Sequence, residues 1–173
     1  MKRTRIILSV TLLLLLLPVG LVSASPAIHI EGWSAAGELL YLPTNTPVAN
    51  DNKCITDFGF VWELYGDIEA VCDTYNTITV HGPCGCADCR RNATVYAECT
   101  GMVADHGNTA DTFELKGTQQ QWFDDAGQSY LKKQLVLSGG TGDLANLHGV
   151  MHVSGEPGVA GTYDGIVTFG QDK

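Results

Sequence analysis

Positive charge is what this sequence has least of. Its 173 residues carry ten Lys and Arg against nineteen Asp and Glu, and Lys2, Arg3 and Arg5 crowd into the first five positions. With the leader described below set aside, seven basic residues face nineteen acidic ones, a net charge of −12. Such a surface repels phosphate backbones and anionic headgroups, which argues against nucleic acid and, for the processed chain, against a membrane surface as partners. Long helical periodicity is missing after the leader, as are solenoid-type repeats and low-complexity runs. No G-x-S-x-G elbow marks a nucleophile. Trp33, Trp62 and Trp122 are too few and too dispersed to define a ligand box and are expected in the core. His29, His81 and His106 are scattered, and His148 and His152, four residues apart on one strand face, stand about 13 Å from each other, too far to share a metal unaided.

The one long apolar run is at the start. Six consecutive leucines, Leu12 to Leu17, follow the basic residues, and Val22-Ser23-Ala24 supplies the small residues a signal peptidase reads, so residues 1–24 are expected to be a signal peptide cleaved after Ala24. Ile6 to Val22 is also 17 residues, at the short edge of what spans a bilayer as an uncleaved anchor; Pro18 and Gly20 favour cleavage. The remainder is the size of one domain, residues 25–173, secreted or otherwise extracytoplasmic. Residues 25–56 read as an N-terminal strand followed by a loop, "PTNTPVANDN", and residues 57–173 as the body of the domain.

That body alternates. In "IEAVCDTYNTITV" one parity holds Ile68, Ala70, Cys72, Thr74, Ile78 and Val80 and the other Glu69, Asp73, Thr77 and Thr79; "ATVYAECTGMV" does the same with Val95, Ala97, Cys99 and Val103. "GFVWEL", "TFELKGTQQQW", "YLKKQLVL" (with Lys133 interrupting a leucine face), "LHGVMHVSG" and "GTYDGIVTF" bring the count to seven strands, and an eighth is expected within residues 27–41. Short, evenly spaced strands predict an all-β antiparallel sandwich or barrel, closure being attractive because it removes edges. Asp105, Asp111, Asp124, Asp125, Asp143 and Asp164 are placed at predicted strand ends, where turn chemistry accounts for them, although acidic loops also hold calcium.

"SGGTGDLANLHG", Ser138 to Gly149, looks like a phosphate cradle. A dinucleotide fingerprint, however, needs a helix opening on its last glycine and a βαβ unit of about 30 residues. Here Ala145 stands where the third glycine belongs, and the following segments alternate as strands. The stretch therefore reads as a structural turn between strands, built on Gly139, Gly140, Gly142 and Gly149, with no cofactor. "GGTGDLANLHG" followed by "GTYDGIVTF", with "ECTG" and "FELKGT" upstream, resembles the closing strands of the allene oxide cyclase and dirigent barrel superfamily, and within it an uncharacterised microbial branch with a G-T-G-x-L-x-x-L-x-G segment. The resemblance covers residues 66–169 and implies a closed eight-stranded antiparallel barrel around a central cavity. Related barrels form dimers and trimers, so it also implies a homo-oligomer. It transfers no catalytic residue, and His148 stands where dirigent-like motifs often carry arginine.

The six cysteines, Cys54, Cys72, Cys84, Cys86, Cys89 and Cys99, read as disulfides in an exported chain. If residues 68–80 and 94–103 form a hairpin, a register facing Cys72 with Cys99 centres its turn between Gly85 and Cys86, so these two are expected to pair. Two readings stand for the other four. Export favours disulfides, for instance Cys84 with Cys89 and Cys86 with Cys54; the alternative is a zinc site from His81, Cys84, Cys86 and Cys89, which have the ligand types for a tetrahedron but lie in a single loop. Asn92-Ala-Thr94 beside that loop is a glycosylation sequon. The function expected is a secreted barrel that binds a small apolar ligand or a partner; the alternative is an isomerase or cyclase acting on an apolar substrate in the cavity.

Overall fold

The computed structural model describes residues 25–49, 51–157 and 160–170; the expected signal peptide lies outside them. Eight strands, β1 (Ile28–Pro47), β2 (Cys54–Gly66), β3 (Ile68–Val80), β4 (Arg91–Val103), β5 (His106–Phe123), β6 (Ser129–Gly140), β7 (Leu147–Gly155) and β8 (Gly161–Phe169), follow one another in chain order. Each pairs antiparallel with the next, and β1 also pairs with β8, so the sheet closes into a ring.

Alternation decides which side chains enter. On β3 every even-numbered residue from Ile68 to Val80 is buried, and Val71 and Tyr75 point outward despite their apolar bulk. On β4 the inward set is Ala93, Val95, Ala97, Cys99, Gly101 and Val103. Small residues on β4 leave room for Phe113, Leu115, Leu135, Leu137 and Met151, so the interior fills by interdigitation.

The two ends differ. At one, β2–β3 and β4–β5 are joined by tight turns and β6–β7 by a 3₁₀ helix, Gly142–Leu144, whose Leu144 is fully buried and stoppers the core. This is the glycine stretch: Gly139 and Gly142 adopt φ of +54° and +55°, a region open to glycine. A Cβ on Gly140 would stand 1.9 Å from the Thr112 carbonyl oxygen, and one on Gly149 2.5 Å from that of Ile166, so close backbone approach excludes a side chain at both.

At the other end the chain departs from the sequence reading. The "PTNTP" segment, expected as loop, continues β1 to Pro47, and β2 starts at Cys54. β8 covers β1 only from Ile28 to Ser34, so the rest of β1 has a free edge, where the missing N–H of Pro43 and Pro47 leaves no ladder bond unmade. Tyr163 ties the seam: its hydroxyl accepts from the Ile68 amide at 2.8 Å and donates to the Tyr65 carbonyl at 3.1 Å.

Candidate functional site

The inward parity of β5 and β6 changes character along the strands. From the packed end it reads Phe113 and Leu115 on β5, then Gln119 and Gln121; on β6 it reads Leu137 and Leu135, then Lys133. All seven are buried. Where the apolar residues stop, a cavity of about 610 Å³ begins. It runs to the end of the ring carrying the β3–β4 loop (residues 81–90) and the β7–β8 loop, whose Cys86 and Pro157 help to line its mouth.

One wall is polar. Lys133 lies opposite Gln119 in the β5–β6 ladder, and Gln121, two residues on, lies opposite Arg91 of β4. The four form a continuous ribbon across three strands, because directly facing residues and i, i+2 neighbours share a face. Arg91 is held in place by its loop: it donates to the carbonyls of Cys86 and Ala87, both at 3.1 Å, and to Oε1 of Gln121 at 3.5 Å. The other wall is aromatic. Phe58, Phe60 and Trp62 line the cavity from β2, Phe58 and Phe60 stacked at 5.7 Å between ring centroids.

Lys133 bridges the two walls. Its side chain reaches over the rings of Trp62, 4.1 Å from Nζ to the centroid, and Phe60, at 5.5 Å. It is 6% exposed, and among the described residues it has neither an ion pair nor a hydrogen bond; the ion pairs there are Lys53–Asp51 and Lys116–Glu114. Burial without a counter-charge disfavours the ammonium and lowers its pKa to about 8. Beside the aromatic wall, the Thr74 hydroxyl and both amide atoms of Asn76 are buried without a hydrogen-bond partner, on β3 positions that face Phe60 and Phe58 in register. An amine with a lowered pKa in an aromatic cavity can pair with an anion or act as a base.

Four of the cysteines lie at the mouth end and two, Cys72 and Cys99, in the packed core. All six are oxidised, as Cys72–Cys99, Cys54–Cys84 and Cys86–Cys89. Cys72 faces Cys99 in the ladder, in the register derived from the sequence. The arrangement Cys84 with Cys89 and Cys86 with Cys54 is not the one formed. Cys54 opens β2 opposite Val80, so the loop leaving β3 brings Cys84 back over it, and a turn closed by the Cys86 amide on the Pro83 carbonyl sends Cys86 toward Cys89 instead. With Cys84, Cys86 and Cys89 in disulfides, the tetrad with His81 offers no thiolate to zinc, and the His81 ring lies 2.9 Å from the sequon amide of Asn92. His148 and His152 are exposed on the outer face. Of the tryptophans only Trp62 is inside; Trp33 stacks on Tyr65 and Trp122 on Tyr130 at the surface. Asp164 sits mid-strand opposite His152, and buried Asp111 accepts from the backbone and side-chain nitrogens of Asn108.

None of Lys133, Gln119, Gln121, Arg91 or the β2 aromatics was singled out as a site from the sequence. Their signal was present: Lys133 occupies a leucine parity, and Gln119 and Gln121 share the parity of Phe113 and Leu115. Polar residues on a core face also occur at strand ends, so the signal acquires meaning only when the cavity is seen.

No protein-family model and no curated protein matches the chain. Among solved structures, a protein of unknown function from the DUF3224 family of Shewanella oneidensis MR-1 superposes with a TM-score of 0.61 at 19% identity, over 85% of this chain and 100% of that one. At that identity the likeness is one of fold: this chain is similar to a protein whose own role is open, and its function has to be argued from the cavity.

Proposed function

We propose that this is an extracytoplasmic binding protein that takes a small, largely apolar ligand into the open end of its ring. The observation that carries the reading is the cavity itself: about 610 Å³, within the range of ligand sites, aromatic on one side and sparsely polar on the other. Three disulfides fit an oxidising compartment, and the leader supplies the route of export. Titration of the mature chain with the uncharged dye N-phenyl-naphthylamine tests it. Saturable fluorescence enhancement is expected, abolished by Leu131→Trp, which puts a large ring into the cavity lining. No enhancement with the unaltered chain would defeat the reading.

An isomerase or cyclase working on an apolar substrate in the same cavity is the second reading. Lys133 favours it, as a basic group with a lowered pKa at the cavity floor, and so does the resemblance of the closing strands to allene oxide cyclase and dirigent barrels. Turnover of a bound apolar epoxide that disappears in Lys133→Met would select it over binding alone.

A further inference from the structure

The protein carries a net charge of −9 over its whole sequence, yet its cavity has the opposite sign. Two cations, Lys133 and Arg91, line it, and among the described residues Glu156 is the one carboxylate in the lining. Glu156 belongs to the β7–β8 loop at the mouth, where its Oε1 accepts from the Gln128 side-chain amide. Arg91 donates from both terminal nitrogens to loop carbonyls and Gln121. Lys133 spends its donors on nothing but aromatic faces, and the side chain of Gln119, 7% exposed and directly opposite it, makes no hydrogen bond among the described residues. With its Oε1 turned to Arg91, Gln121 keeps its NH₂ unengaged among the described residues. An ammonium and the side-chain amides of Gln119 and Gln121 are thus left together on one wall, with no carboxylate beside them among the described residues, next to the flat faces of Phe60 and Trp62.

We infer that the ligand is an ionised organic acid with a flat apolar body, its anionic head on Lys133 and the amide of Gln119 and its body against Phe60 and Trp62. The inference rests on the binding reading above and adds the charge of the ligand. A neutral ligand would leave the ammonium desolvated and unpaired, and a cationic one would be repelled by it. A phosphate dianion is matched by clustered backbone amides or by an arginine free to grip it with two nitrogens; Arg91 already donates from both terminal nitrogens to loop carbonyls and Gln121, and one ammonium with side-chain amides suits a single charge.

The test compares two dyes that differ by one anionic group, anilinonaphthalene sulfonate and N-phenyl-naphthylamine, on the mature, disulfide-intact chain at neutral pH. Lys133→Met keeps the length and apolar contacts of the side chain and removes its charge. The expected result is a loss of about tenfold or more in sulfonate affinity, the scale of a charged hydrogen bond, with affinity for the neutral dye shifted by less than about twofold. Gln119→Leu is expected to move the sulfonate in the same direction by a smaller factor. Sulfonate affinity unchanged in Lys133→Met while both dyes still bind would overturn the anionic ligand and leave the binding reading standing. Loss of both dyes in that variant would also overturn it, since Lys133 would then be shaping the cavity. Binding of neither dye to the unaltered chain would remove both readings together, whereas binding of the neutral dye without the sulfonate would overturn the anionic ligand alone.

Discussion

Lys133 also has a thermodynamic signature that does not depend on any ligand. A lysine titrates near 10.5 when solvated, and burial brings this one to about 8. Between those values the unfolded chain holds a proton that the folded chain has released, so stability rises with pH across that window. Below about pH 8 the folded state carries the full cost of a desolvated ammonium, partly offset by the rings of Trp62 and Phe60. Arg91 and Gln119 are the polar neighbours on its wall, and neither supplies a negative charge. Lys133→Met is therefore expected to be more stable than the unaltered protein by about 3 kcal/mol at pH 7, with the gap closing toward pH 10. Urea midpoints measured across that range check both the sign and the closing gap. A midpoint that falls in the variant at pH 7 would mean that the amine has a partner which burial alone does not reveal.

At the scale of elements, the β3–β4 hairpin shows what the sequence could and could not specify. Its register was legible because Cys72 and Cys99 sit on the apolar parity of strongly alternating strands, and one-residue slippage would turn both core faces to solvent. The pairing of Cys54, Cys84, Cys86 and Cys89 was not legible, because it depends on how a ten-residue loop, 81–90, folds back over a strand start that periodicity does not locate. The same limit hid the true start of β2 and the extension of β1: turn residues at 43–47 read as loop until the free edge beyond Ser34 makes their prolines harmless. The three bridges should differ in worth because they close chains of different length. Cys54–Cys84 and Cys72–Cys99 span 30 and 27 residues, and Cys86–Cys89 spans three. Chain-entropy arguments assign about 3.5 kcal/mol to each long bridge and about 1.5 kcal/mol to the short one. Paired Cys→Ser substitutions followed by denaturant unfolding are expected to keep that order, and the Cys54/Cys84 pair should in addition speed amide exchange in the loop over the cavity mouth.

Closure of the whole molecule rests on a short seam. β1 and β8 lie at opposite ends of the chain order, and they meet over seven pairs, from Ile28 with Val167 to Ser34 with Gly161. Alternation made seven strands and an all-β sandwich or barrel readable, and closure into a ring was what the resemblance implied; the first strand was placed only loosely, because exposed apolar residues at 39–42 compete with the inward parity. Their solvent exposure reaches 79% at Leu42, whereas Ile30 is fully buried in the seam. The two ends of one strand should therefore respond differently to similar changes. Ile30→Ala removes packing from the core that joins β1 to β8, and the expected cost is about 2 to 4 kcal/mol. That loss should appear as one cooperative shift, because an opened ring exposes the interior of every strand. Leu42→Ala, on the overhang past the last β8 pair, is expected to change stability by less than about 0.5 kcal/mol. Guanidinium midpoints for the two variants decide the matter: a large loss in Leu42→Ala would place the overhang within the cooperative unit, and a negligible one in Ile30→Ala would mean that the ring holds without its seam.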